Sequence, residues 1–227
     1  MQDNEAEMAG DMWDHTAVTA GSKLVVSLVV GQRTQAQPRA LVHDAKRRLR
    51  PGHLPAIFTD AYAGYEAAIL EAFGRRYPIP RRKAPGQAPR SMSRWPQGLA
   101  YGQVKKHSQQ GRVERIEVRA LYGKARLKHV LSWLGYKSLN TSVVERHNGT
   151  SRLRNQRKVR KTRAFSKARW RSWLSVGLDN FCRGPSSLKS IQDRQVPHRS
   201  PAMAAGLPDH IWPIREWLLG PVVGGQG

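Results

Sequence analysis

Two acids and one dense run of cations are the side chains whose types and spacing could do chemistry in this sequence. Asp60 follows the apolar run Leu54–Thr59 and precedes the helical repeat Tyr62–Phe73. A carboxylate at the carboxyl end of a strand lies in the crevice where open α/β sheets place functional groups. It suits a divalent cation held against a phosphodiester. Its competing role is a helix N-cap for the segment that follows. Glu145 opens the most basic helix, where Ser142-Val143-Val144-Glu145 reads as a capping box. The two roles coexist, because a capped and rigid helix start also positions a ligand. Glu145, Gly149, Arg152 and Arg160 fall on one helical face with Asn148 beside it.

Behind Glu145, from Arg146 to Arg171, eleven Lys/Arg follow one another with no acid between them. Arg146, Arg152, Arg154, Arg157, Lys158, Arg160, Lys161, Arg163 and Lys167 thus form a candidate phosphate-tracking surface with Asn148. Phe165, Trp170 and Trp173 interleave with the cations. Base stacking is one use for them; the pattern favours the other, packing into the core. The eight histidines show no metal-ligand spacing, and Cys182 reads as a small apolar filler.

The whole composition points the same way. Lys and Arg number 39 against 16 Asp and Glu, a net +23 that selects polyanionic partners and is of no use to an enzyme of small neutral substrates. Residues 1–14 hold five of the acids and no Lys or Arg, so the excess lies beyond them. The single cysteine excludes a disulfide framework and a cysteine-based zinc site, and suits a reducing cytoplasm. No apolar run approaches the ~20 residues of a membrane span, and the acidic start lacks the basic opening of a signal peptide.

Elements that would position these residues follow from the periodicity. Trp13–Thr19 and Lys23–Val30 read as a hairpin about Ala20-Gly21-Ser22. Leu41, Val42, Ala45 and Leu49 recur at helical spacing up to Pro51-Gly52. Residues 75–98 read as a long basic loop or insertion, rich in Pro and Arg. Leu99–Val104 and Arg112–Tyr122 read as strands, the second with Ile116, Val118, Ala120 and Tyr122 on one face. Helices are expected over Ala125–Trp133, Ser142–Thr162 and Phe165–Cys182, then a polar linker at 184–200 and short segments at Pro201–Ala205 and Ile214–Leu219. This order predicts an α/β fold, one mixed β-sheet flanked by helices.

Five colinear blocks, from about residue 10 to 219, resemble a known family. Asn140-Thr141-Ser142-Val143-Val144-Glu145-Arg146-His147-Asn148-Gly149-Thr150, continuing through Arg160-Lys161-Thr162-Arg163-Ala164-Phe165-Ser166-Lys167, is similar to the signature around the last acid of the insertion-sequence-one family of bacterial transposases. Gly10-Asp11-Met12-Trp13-Asp14-His15, with Lys23-Leu24-Val25-Val26-Ser27, resembles its early hairpin. Thr59-Asp60-Ala61-Tyr62-Ala63-Gly64-Tyr65 resembles its second acidic motif. Asn180-Phe181-Cys182-Arg183 and the stretch from Pro201 to Trp212 resemble its C-terminal tail.

The resemblance implies a ribonuclease-H-like core with a triad of two aspartates and a glutamate holding two Mg²⁺ (or Mn²⁺) ions about 3.5–4 Å apart. Asp60 then stands as the second acid and Glu145 as the third, each catalytic and metal-binding. Cleavage and strand transfer would both be in-line phosphoryl displacements, with water and then a DNA 3′-hydroxyl as nucleophile. Implied partners are double-stranded DNA, at insertion ends and targets, and further copies of the chain, beside the bacterial nucleoid. The family's first aspartate belongs to an upstream Asp-Glu-x-Trp strand that is not in this sequence; Met1–Glu7 resembles the acidic connector after it, and Asp11 and Asp14 are the nearby substitutes. The expectation is a core without its first strand and with impaired catalysis: a connector at 1–12, a core at 13–163 with the insertion at 75–98, and a helical C-terminal extension at 164–227. The rival reading is a non-catalytic basic nucleic-acid-binding protein on the same fold.

Overall fold

A computed structural model describes residues 13–78, 91–110, 112–155, 170–188 and 198–220. The chain is α/β and forms two units, Thr34–Ser142 and the remainder, 1–33 with 143–227. Sequence order grouped the N-terminal hairpin with residues 34–163; in the structure it belongs with the C-terminal helices.

The Thr34–Ser142 unit is built on a mixed three-stranded sheet. β3 (Ala56–Asp60) runs parallel to β6 (Ala100–Gln109), which pairs antiparallel with β7 (Arg112–Tyr122). Helices α1 (Ala36–Arg47) and α2 (Gly64–Phe73) cover one face, where Val42, Ala68, Ile69, Ala72 and Phe73 enclose Leu99 and Tyr101. Full burial of Ile69 alone contributes about 1.5–3 kcal/mol. Helix α3 (Lys124–Trp133) covers the other face: Leu127 packs with Ala100, Val104 and Leu139, and with Ala56 and Phe58 at the margin. Gly123 begins α3 at φ +66, and a Cβ there would lie 2.5 Å from the Leu99 carbonyl oxygen, so only glycine lets the chain turn against β6.

The stretch 75–98 is not all loop. β4 (Arg75–Pro78) and β5 (Ser91–Arg94) pair antiparallel, with Tyr77 opposite Met92. Trp95, just beyond, stacks on Tyr122 at 5.6 Å and sits 5.8 Å from Tyr101. Two four-residue strands in an Arg- and Pro-rich context carry no alternation long enough to read.

In the other unit, β1 (Trp13–Val18) and β2 (Val25–Gly31) form a two-stranded antiparallel sheet of their own, so the single sheet expected is replaced by separate ladders. The turn uses Lys23 at φ +61, closed by Lys23 N–H to the Thr19 carbonyl at 3.0 Å. Helices α4 (Ser142–Arg154; Ser142 itself falls in the first unit), α5 (Trp170–Phe181), α6 (Pro201–Ala204) and α7 (Ile214–Leu219) complete the order. The apolar contact between hairpin and α5 is small: Val25, Leu28 and Val176, with Val18 and Val30 beside them. Polar groups do most of the joining. The Asn180 amide donates to the Val25 carbonyl and its Oδ1 accepts from Val25 N–H, both at 3.0 Å and buried. Ser172 donates to the Asp14 carboxylate at 3.0 Å, and Thr16 on β1 donates to Asn148 Oδ1 at 3.4 Å. Among the described residues, no helix is long and apolar enough to cross a membrane.

Candidate functional site

Asp60 is the last residue of β3 and is exposed. It does not cap α2, which begins at Gly64 with Ala63 as its N-cap. Instead Asp60 Oδ1 accepts from Tyr62 N–H at 3.3 Å, a local turn that orients the carboxylate at the strand end. In register Asp60 lies beside Val104 of β6, on the sheet face that carries Ala56 and Phe58. The opposite face carries a polar cluster that sequence reading missed. The Tyr101 hydroxyl lies 3.0 Å from Thr59 Oγ1 and accepts from Gln103 Nε2 at 2.7 Å. Burial pushes the Tyr101 hydroxyl up from its ordinary pKa, so it stays a neutral donor that fixes the end of β3. Only the alternation Tyr101, Gln103 opposite Thr59 could have signalled it.

Glu145 and Arg146 are both exposed in the first turns of α4. The capping box is displaced. Ser142 is already helical, and both its N–H (3.2 Å) and its hydroxyl donate to Asn140 Oδ1, so the Asn140 carboxamide braces the helix start. Arg152 is exposed on the face of Glu145. Asn148 turns inward to Thr16 and is half-buried, which makes it a docking residue of α4 on the hairpin. Arg154 is also engaged: its guanidinium bonds Asp179 of α5 at 3.0 Å, and Arg183 shares the same carboxylate oxygen at 2.8 Å. The run from Arg146 to Arg171 contains no acid, yet α5 supplies one from outside it. Arg157, Lys158, Arg160, Lys161, Arg163 and Lys167, with Phe165, lie outside the described residues.

Trp170 and Trp173 were expected in the core and are not there; they are 58% and 46% exposed. The inward face of α5 is Ser172, Ser175, Val176, Asp179 and Asn180, chosen by partners on β2, on Asp14 and on Arg154. The apolar stripe of the helix therefore faces away. Its C-terminal half is covered by the tail: Phe181 stacks on Trp212 at 4.8 Å, and a Cβ on Gly177 would lie 2.2 Å from the Trp217 ring. Near its N-terminus, Arg171 lies 5.0 Å over the Trp170 ring. Cys182 is half-buried, and burial raises its thiol pKa, which suits an inert filler.

Among the described residues no three His, Cys, Asp or Glu side chains come together as a metal-binding group. Asp60 and Glu145 each stand in their own unit as exposed acids. No family model, no curated protein and no solved structure matches this chain.

Proposed function

We propose that the chain is a DNA-handling protein of insertion-sequence transposase descent on a ribonuclease-H-like plan, with DNA binding retained and strand cleavage and transfer impaired. One observation carries the reading: the acid of each resembling motif is solvent-exposed and stands next to cations. Glu145 opens α4 with exposed Arg146 and Arg152, and Asp60 ends β3 just before exposed Lys105 and Lys106 on the neighbouring strand. The cations beside each acid suit an approaching phosphodiester, whose charge they neutralise. The five colinear sequence blocks supply the transposase part of the reading.

The test is a labelled insertion-end duplex followed for binding and for nicking with Mg²⁺ or Mn²⁺. Salt-sensitive binding with little nicking is the expected result. Robust cleavage abolished by Glu145→Gln would show that catalysis is intact and overturn the impairment. A second reading, a non-catalytic basic nucleic-acid-binding protein, is favoured by the net charge of +23, which needs only a polyanionic partner. It requires binding that ignores both divalent metal and Asp60→Asn.

A further inference from the structure

We infer that the distal half of β6 and β7 is a two-stranded arm that enters the major groove of duplex DNA. The inference rests on the reading of this chain as a DNA binder and assigns a surface to it. β3 accompanies β6 only from Ala100 to Val104, ending at the pair Asp60–Val104. Beyond that point, among the described residues, β6 is paired with β7 alone, through Lys105–Glu117, Lys106–Ile116 and His107–Arg115 to Gln109–Arg112. The arm turns through Gln110 at φ +50. Five residues of strand beyond Val104 reach ~17 Å. Both faces are open to solvent: Lys105, Lys106, Arg112, Arg115, Ile116 and Val118 are all exposed.

A solitary ribbon with solvent on both faces is a poor core element. Its composition is equally unsuited to packing on protein. Residues 105–119 hold five Lys/Arg against two Glu. Glu117 is occupied internally, by Arg119 at 2.6 Å and His107 at 3.2 Å. Lys105, Arg112 and Arg115 take no part in those ion pairs. Two antiparallel strands fit a B-form major groove about 12 Å wide. Cations along the strands reach phosphates on both rims, while Ile116 and Val118 give apolar contact of the kind thymine methyl groups accept. The arm also points the DNA somewhere. The face that carries Asp60 continues outward as Val104–Val118 and then Lys106–Ile116, so a duplex gripped by the arm lies along the line that starts at the Asp60 carboxylate.

The experiment uses the full chain and a double variant, Arg112→Ala with Arg115→Ala, exposed positions whose loss leaves the fold intact by circular dichroism and thermal melting. Binding to a 20-bp DNA duplex is titrated against salt, with the same duplex pre-methylated at guanine N7, which lies in the major groove. The expected result is a log–log salt slope smaller by about 1.8, from about 0.9 per lost phosphate contact, and affinity about tenfold to hundredfold weaker near ~0.1 M salt. N7 methylation weakens the parent chain and not the variant. Unchanged slope and affinity in the variant, with the parent binding DNA well, overturn the arm assignment and leave the general reading standing. Equal binding of duplex RNA, whose narrow major groove admits no ribbon, overturns the groove assignment. A parent dimer lost in the variant, with DNA binding untouched, overturns it in favour of a second copy of the chain as occupant. A parent that binds no duplex at low salt overturns both the arm and the function on which it rests.

Discussion

Replacing Asn180 with leucine removes the side chain that stands in for a neighbouring strand along β2. In the parent, the carboxamide of Asn180 satisfies both backbone groups of Val25, a residue only 6% exposed. Leucine fills a similar volume but offers neither donor nor acceptor, so a buried N–H and a buried C=O lose their partners. Each orphaned group costs about 1–3 kcal/mol, giving about 2–6 kcal/mol for the pair. Against a usual total of about 5–15 kcal/mol, that is a large fraction. With an m-value of about 2 kcal/mol per molar urea, the midpoint of the unit holding the hairpin should fall by about 1–3 M. Asn180→Asp sharpens the test because it keeps the shape and the acceptor and loses the donor. The introduced carboxylate would face the Val25 carbonyl, so its folded-state pKa would rise above the unfolded value of about 3.9. A raised acid makes the folded state gain stability as pH falls through that folded pKa, the opposite of the usual carboxylate trend. Urea titrations followed by tryptophan fluorescence between about pH 7 and 4 measure both effects. A leucine variant whose midpoint moves by less than about 0.3 M, or an aspartate variant that weakens monotonically with acid, refutes the role given to Asn180.

Gly177→Ala should favour the α5 backbone by about 1 kcal/mol while displacing Trp217, whose ring occupies the space of the new methyl. Losing about half of an indole's ~250 Å² of contact costs about 3 kcal/mol, so α7 should detach, read as a red-shifted tryptophan emission and faster proteolysis of the tail. Glu117 has its pKa lowered from 4.5 to about 2, first by Arg119 and then by His107. Its contribution to the arm is therefore present above about pH 4.5 and fades as pH falls through about 2; amide hydrogen exchange along β6 and β7 across that window should report the loosening, and Glu117→Gln should abolish it.

Much of the Asp60 neighbourhood was legible because one short-range pattern specifies it. Leu54–Thr59 is apolar enough to be a buried strand, the residues after it turn to helical spacing, and the acid falls at the junction. The hairpin at 13–31 was equally plain, from β-branched runs around Ala20-Gly21-Ser22. What was not legible depends on partners distant in sequence. The spacing of Trp170, Trp173, Leu174 and Leu178 describes an apolar helix face, and burial of that face is the ordinary outcome. Here Asn180, Asp179 and Ser172 have partners on β2, on α4 and at Asp14, and those fixed bonds select the polar face instead. Arg154 looked unpaired for the same reason, since Asp179 lies 25 residues away. The displacement of the capping box by Asn140 is a smaller case: two polar residues two positions apart, Asn140 and Ser142, could brace one helix start, and local sequence does not decide between them.

The polar character of the α5–hairpin contact has a thermal consequence. Separating apolar surfaces raises heat capacity on hydration, whereas exposing polar groups lowers it. A contact made by Asn180 and Ser172 around the small cluster of Val25, Leu28 and Val176 therefore has a small heat-capacity change of its own. Hydrophobic attraction fades on cooling, and this clasp depends on it little. The hairpin should stay held to α5 at low temperature, where the apolar cores about Ile69 and Leu127 in the other unit lose part of their advantage.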